Sequence, residues 1–290
     1  MIPAWHVFDR NLQESRKFGR CRDKPPPCDH LFMAIPKKVV ERLVMGVKRY
    51  QPILLAAKNR DVGETDTVTI IKDMLADVFG YDKYSELTSE YSIRGTYCDL
   101  AVKLDGELTT LIEVKAIGVD LKESHVKQAI DYAANQGVDW VLLTTGVRWC
   151  VYHVFFTKPI QQELVVDIDF LKLNPRSESD LDLLYLWCKE GWQRSALGEF
   201  HAQKQALSRF FLGAVVTSNP SLDVIRRELR RVSPDIRITV EQIRDVLVNE
   251  VLKREVVEGE KADEARRVVN RASGKTLRAV APKSAEEPAD

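Results

Sequence analysis

Two acidic side chains and a lysine that lie near one another in the sequence have the types needed to hold a divalent cation and to act beside it on a phosphodiester. Asp99 lies in one β-rich run, and Glu113 and Lys115 lie in the next. Side chains alternate along a strand, so Glu113 and Lys115 are expected on one face, with Asp99 on the paired strand. Two carboxylates and the Val114 carbonyl between Glu113 and Lys115 are hard oxygen ligands that suit Mg²⁺ or Mn²⁺.

This set of residues predicts phosphodiester hydrolysis. Bound metal lowers the pKa of an attacking water and neutralises charge in the transition state, and Lys115 can orient that water. A Glu-x-Lys triplet alone is expected about once by chance in a chain of this composition; its place on the second arm of a hairpin, opposite an aspartate, gives it weight. The alternative is a cross-strand ion pair of Asp99 with Lys115, which would leave Glu113 solvated.

The elements that must position these residues follow from hydrophobic periodicity. Helical spacing predicts helices at 37–50 and from 61 to about 79, and alternation predicts the strand at 87–93 and a hairpin closed by Asp105-Gly106. A helix at about 123–135 and further strands follow. The remaining strand predictions are 97–104, 107–115, 138–144, 149–156 and an edge strand at 163–168. The order predicts an α/β fold with a mixed β-sheet flanked by helices (α-β-β-β-α-β), plus a C-terminal helical region.

Residues 61–157 resemble the PD-(D/E)xK nuclease superfamily, and within it the N-terminal nuclease domain of type I restriction enzyme R (motor) subunits. The resemblance covers four segments in order: Glu64-Thr-Asp-Thr, Tyr97-Cys-Asp99-Leu, Leu-Ile-Glu113-Val-Lys115-Ala, and Gln128-Ala-Ile-Asp-Tyr132. It implies a restriction-endonuclease-like fold and DNA cleavage in restriction or phage defence. The Tyr-Cys-Asp segment departs from the usual basic residue before the first acid.

The resemblance also implies roles for single residues. Asp99 and Glu113 would be the metal-binding acids, Lys115 the catalytic lysine, Glu64 the supporting acid of the first helix, and Gln128 with Tyr132 the Gln-x3-Tyr element. Gln128 and Tyr132 are four residues apart, so both side chains can lie on one face of a helix. The structural alternatives are a capping box of Asp61 with Glu64, and a solvated Gln128 beside a core Tyr132.

The chain has no ATP-driven motor of its own. A Gly-x4-Gly-Lys-Ser/Thr motif is missing from the sequence, and Ser273-Gly-Lys-Thr276 has neither the earlier glycine nor a preceding strand. We therefore expect a nuclease that cuts alone or works with a separate motor or specificity protein. One alternative is a catalytically silent nuclease-fold subunit that binds DNA or another protein, since a fold does not guarantee an activity. A further alternative is a metal-dependent enzyme that acts on RNA or another phosphodiester, because the oxygen ligands recognise phosphate oxygen rather than the sugar.

Four arginines are candidates for contacts with DNA phosphates. Arg226, Arg227, Arg230 and Arg231 share one face of a predicted helix, opposite an apolar stripe that begins at Leu222. Such a face can bind phosphates or can be a solvated face opposite a core stripe. His125, at the start of its helix, is likewise either near phosphate or a solvated helix-end residue.

Composition and charge limit the classes of protein to which this chain can belong. The 290 residues carry 43 basic and 43 acidic side chains, and five scattered cysteines argue against a secreted disulfide framework. The absence of a signal peptide or a long apolar run predicts a cytoplasmic protein without a membrane segment. Cys21, Cys28 and His30 do not have ordinary zinc spacing. We predict a basic arm and helix at 1–60, the nuclease-like core at 61–170, a helical region at 171–270 and a disordered tail at 271–290.

Overall fold

The computed structural model describes residues 34–93 and 96–280. They form a six-stranded mixed β-sheet flanked by helices and followed by a C-terminal helical region, which confirms the predicted α/β fold class. The strands are β1 Leu87–Ile93, β2 Thr96–Leu104, β3 Glu107–Val114, β4 Trp140–Thr144, β5 Arg148–Phe155 and β6 Gln161–Asp169. The helices of the sheet region are α1 Lys37–Asn59, α2 Glu64–Asp77 and α3 Glu123–Gln136. The C-terminal helices are α4 Glu178–Tyr185, α5 Lys189–Gln193, α6 Ala196–Ala206, α7 Arg209–Val216, α8 Asn219–Val232, α9 Val240–Val246, α10 Arg254–Val257 and α11 Glu260–Val280.

The strands lie in the sheet in chain order, from β1 at one edge to β6 at the other. Neighbouring strands are antiparallel except β3 and β4, which are parallel. Parallel neighbours need a crossover connection, and α3 supplies it. Asp105 and Gly106, which close the β2–β3 hairpin, have φ of 52° and 84°. Positive φ at both positions is typical of the two-residue turn that the Asp-Gly pair predicted.

Helices cover both faces of the sheet. On one face, α1 and α2 pack on the sheet together with side chains of the C-terminal region, and on the other face α3 packs on the sheet. Leu43 and Leu54 of α1, Ile71 of α2 and Leu184 of α4 all belong to the first core. One hydrophobic core therefore contains residues from all three predicted regions: the arm and helix before residue 60, the nuclease-like core, and the helical region after residue 170.

Helix α1 is longer than predicted and contains Pro52. The sequence predicted its end at Tyr50, but Leu54 and Ala57 beyond the proline are fully buried in the core. Proline in a helix interior removes one backbone hydrogen bond. Burial of the apolar stripe on both sides of Pro52 offsets that loss, which is why local propensity gave the wrong end.

The C-terminal region also departs from the prediction in detail. One helix was predicted from Val240 to Val257, whereas α9 passes into a π-helical turn at Leu247–Val251 before α10 begins. Helix α11 extends to Val280, so 271–280, predicted as part of a disordered tail, is helical. The predicted arm up to residue 33, with Pro25–Pro27 and the cysteine and histidine candidates for zinc, lies outside the described residues, as does 281–290. None of the described helices combines the length and the apolar character needed to span a membrane.

Candidate active site

Four of the predicted site residues come together at one end of β3. Asp99 lies on β2, Glu113 is the second-last residue of β3, and Glu64 is the first residue of α2. Lys115 lies one residue beyond the end of β3, yet its backbone N–H donates to the Thr144 carbonyl of β4 at 2.9 Å. The backbone pairing with β4 thus extends past the strand end and fixes the position from which the Lys115 side chain projects.

Asp99 is tied directly to the backbone of the neighbouring strand. Its Oδ2 atom accepts a hydrogen bond from the Val114 N–H at 2.7 Å. Burial raises the pKa of the Asp99 carboxyl, and the Val114 hydrogen bond and the charge of Lys115 oppose this change only in part. The surroundings of this carboxylate therefore disfavour its charged form relative to water, and added positive charge would oppose that effect.

Glu113 is a buried carboxylate, with 2% of its side chain exposed. Its Oε1 atom accepts a hydrogen bond from Lys115 Nζ at 2.7 Å, and its Oε2 atom has no hydrogen-bond partner among the described residues. Burial raises the pKa of Glu113 to about 7, against the opposing hydrogen bond from Lys115. The alternative of a solvated Glu113 beside an Asp99–Lys115 ion pair is wrong, because Glu113 is buried and is itself the lysine's partner.

Glu64 joins this cluster through the lysine. Its Oε2 atom lies 3.6 Å from Lys115 Nζ, and about half of its side chain is exposed. The N-cap of α2 is Gly63, without a side-chain hydrogen bond, so the capping box of Asp61 with Glu64 does not form. Burial lowers the pKa of Lys115, but the hydrogen bond and charge of Glu113 and the charge of Glu64 outweigh it and raise the pKa.

Gln128 and Tyr132 form a separate pair on α3. The exposed Gln128 Nε2 donates to the Tyr132 hydroxyl at 3.1 Å, as the i, i+4 spacing allows. Tyr132 packs partly against the core under α3. Within the described ranges, no hydrogen bond or ion pair joins this pair to Glu113. His125 Nδ1 accepts from the Lys122 N–H at 3.3 Å, which fits the helix-end interpretation.

The arginines of α8 divide into two kinds. Arg226 and Arg231 form ion pairs within the helix, with Asp223 at 2.8 Å and Glu228 at 3.0 Å. In the part of the chain that the structure describes, Arg227 and Arg230 are exposed and have no ion pair.

The apolar stripe of α8 is buried only in part. Leu222 is buried, but Leu229 and Val232 are 39% and 82% exposed.

A second polar cluster received no prediction from the sequence. The rings of His153 on β5 and His201 on α6 stack with centroids 4.7 Å apart, and Trp140 lies edge-on to His153 at 4.5 Å. His201 Nε2 lies 2.9 Å from Glu163 Oε2 of β6, while the buried His153 Nδ1 has no hydrogen-bond partner among the described residues. These residues lie on four different elements, so no spacing signal could have indicated the cluster.

The acidic side chains of the candidate site are an incomplete set of ligands for a divalent cation. No group of three or more His, Cys, Asp and Glu side chains in residues 34–93 and 96–280 is arranged to hold a metal ion. The predicted site requires two carboxylates and a carbonyl, and the buried Oε2 of Glu113, which has no partner among the described residues, is an acceptor that a cation would satisfy.

Comparison with family models, curated proteins and solved structures gave no match. The resemblance to PD-(D/E)xK nucleases stays a prediction.

Proposed function

We propose that this protein is a metal-dependent endonuclease that hydrolyses DNA phosphodiester bonds in the cytoplasm, in restriction or phage defence. The observation that carries the proposal is the buried Glu113 carboxylate, which lies beside Lys115 and has one oxygen without a partner among the described residues. A buried charge is costly unless it is paired or coordinates a metal. The surroundings also raise the pKa of Asp99, which lies on the adjacent strand. Two such acids near one lysine fit a site completed by a divalent cation.

The residues take distinct roles in this proposal. Asp99, Glu113 and the Val114 carbonyl would hold Mg²⁺, for which Mn²⁺ can substitute, and the ion would supply Lewis-acid stabilisation of charge on the phosphate. Lys115 aligns the hydrolytic water and adds positive charge beside the scissile bond. Glu64 supports the site through its contact with Lys115.

The DNA contacts in this proposal come from two helices. Gln128 and Tyr132 on α3 would shape the side of the cleft, and the exposed Arg227 and Arg230 on α8 would contact phosphates. Arg226 and Arg231 already have acidic partners on their own helix, so they would contribute less. A motor or specificity protein is the proposed partner.

A catalytically silent nuclease-fold subunit that binds DNA or another protein is the second candidate. It is favoured by one observation: Lys115 itself neutralises Glu113 at 2.7 Å, so this ion pair can be purely structural. Fold alone does not separate an active site from a scaffold.

The experiment compares cleavage of supercoiled, linear and single-stranded DNA and of RNA in Mg²⁺, Mn²⁺ or EDTA. Wild type is compared with Lys115→Met and Asp99→Asn, and exposed Lys127→Met on α3 is the matched control. The proposal expects metal-dependent DNA cleavage that is retained in the control and lost in both site variants. Equal inertness of all four proteins, with DNA binding intact, would support the silent subunit.

A further inference from the structure

We infer that the ammonium group of Lys115 occupies the place of the divalent cation in the metal-free protein, and that Glu64 receives this group when the metal binds. The inference rests on the proposed function and concerns control of the same site. Lys115 Nζ lies 2.7 Å from Glu113 Oε1 and 3.6 Å from Glu64 Oε2. The lysine side chain is only 15% exposed, so it is held between a buried carboxylate and a half-exposed one.

The contacts of the two acids show why the lysine is an incomplete substitute. The ammonium group satisfies one oxygen of Glu113 and leaves the buried Oε2 without a partner among the described residues. Asp99 takes its hydrogen bond from the Val114 backbone rather than from the lysine. A single positive charge therefore faces two acids whose pKa values are both raised by burial.

A divalent cation and the ammonium group compete for Glu113. With both at the same carboxylate, positive charges would lie within a few ångströms in a site shielded from water, where repulsion is strong. The lysine must then leave Glu113 Oε1, and the nearest other carboxylate is Glu64. Glu64 is thus a positioning residue: it keeps the displaced lysine beside the site, where the lysine can act on the substrate.

Metal affinity tests this exchange without any need for cleavage. Mn²⁺ and Mg²⁺ binding is measured by calorimetry in wild type, Lys115→Met, Glu64→Gln and the double variant, with Lys127→Met as control. Lys115→Met is expected to bind Mn²⁺ about tenfold more tightly or better, because the competing charge is gone. Glu64→Gln is expected to weaken binding in wild type and to have no effect in the Lys115→Met background, since Glu64 acts through the lysine.

The outcomes distinguish failure of the lysine exchange from failure of the proposed metal site. Unchanged or weaker binding in Lys115→Met, or equal weakening by Glu64→Gln in both backgrounds, overturns the exchange while leaving the metal site in place. If neither wild type nor Lys115→Met binds Mn²⁺ or Mg²⁺, the proposed function itself fails. If a variant misfolds, a second measurement on the wild type still tests the exchange. The ¹⁵N resonance of the Lys115 ammonium must shift on Mg²⁺ titration, and a constant resonance also overturns the exchange.

Discussion

The carboxylate of Asp99 accepts a hydrogen bond at 2.7 Å from the backbone N–H of Val114, the residue between Glu113 and Lys115. This one contact fixes the acid of β2 against the end of β3. It uses one carboxylate oxygen for a structural bond. A substitution at Asp99 therefore changes both the backbone contact and the charge of the site, and the two effects can be separated.

Asp99→Asn should separate them, because the amide oxygen can still accept from Val114 while the negative charge is lost. Since burial disfavours the charged form of Asp99, we expect the variant to be at least as stable as wild type in EDTA, and to lose most of the stabilisation by Mg²⁺. Thermal unfolding with EDTA and with Mg²⁺ measures both effects. Asp105→Asn in the exposed hairpin turn is the control, and equal Mg²⁺ stabilisation of Asp99→Asn and wild type would contradict the assignment.

Glu113 predicts a pH dependence of the metal-free stability. The folded protein holds a proton on Glu113 up to a pKa of about 7, whereas the unfolded chain releases it near its ordinary value of 4.5. The folded state binds more protons in this window, so the stabilisation contributed by Glu113 is greatest below pH 4.5 and is lost as the pH rises through about 7, by roughly 1–3 kcal/mol.

Glu113→Gln should remove this slope. Urea unfolding in EDTA at intervals between pH 5 and 8 measures the dependence, and Asp105→Asn serves again as the control. A slope that persists unchanged in Glu113→Gln would show that another group is responsible. In wild type, Mg²⁺ should bind more weakly below pH 7, because the protonated acid must lose its proton.

The two kinds of arginine on α8 should differ in DNA binding. Arg227→Ala with Arg230→Ala removes two unpaired charges, so we expect the slope of log affinity against log salt to fall in magnitude by about 1.8. Arg226→Ala with Arg231→Ala should have the smaller effect, because these side chains are partly neutralised by Asp223 and Glu228. Fluorescence anisotropy with a DNA duplex at several salt concentrations measures both pairs. Equal slopes for the two double variants and wild type would remove α8 from the DNA interface.

The stacked histidines predict a second, acid-side loss of stability. Burial, and then the neighbouring His201, lower the pKa of His153 below 6.5, while Asp139 and Glu163 oppose this change. The unfolded chain therefore takes up a proton at a higher pH than the folded protein, and stability falls as the pH drops below about 6.5. His153→Phe, which suits the aromatic surroundings, should flatten this part of the profile.

Chemical unfolding between pH 5 and 7.5 measures the profile. His125→Gln, at a helix end where Gln can replace the histidine as acceptor, is the matched control. If His153→Phe and wild type lose stability in parallel, His153 is not the group that titrates.

The sequence by itself determined the order of the sheet elements and the residue types of the candidate site. Patterns of apolar and polar residues with strand or helix period located all six strands, α2 and α3 to within a few residues. These patterns work because the apolar residues of a strand or helix recur on the side that is buried. The Asp-Gly turn set the β2–β3 hairpin and thereby placed Asp99 near Glu113. The residue types at those positions then indicated a cation site.

Only the tertiary structure decided how those residues are paired and where the elements end. Lys115 contacts Glu113 and Glu64 rather than Asp99, because burial of Glu113 and the start of α2 at Glu64 are set by packing between elements that are distant in the chain. The extension of α1 beyond Pro52 and the stacking of His153 on His201 have the same origin. Local sequence encodes periodicity, whereas desolvation and long-range partners exist only after the sheet and helices have packed together.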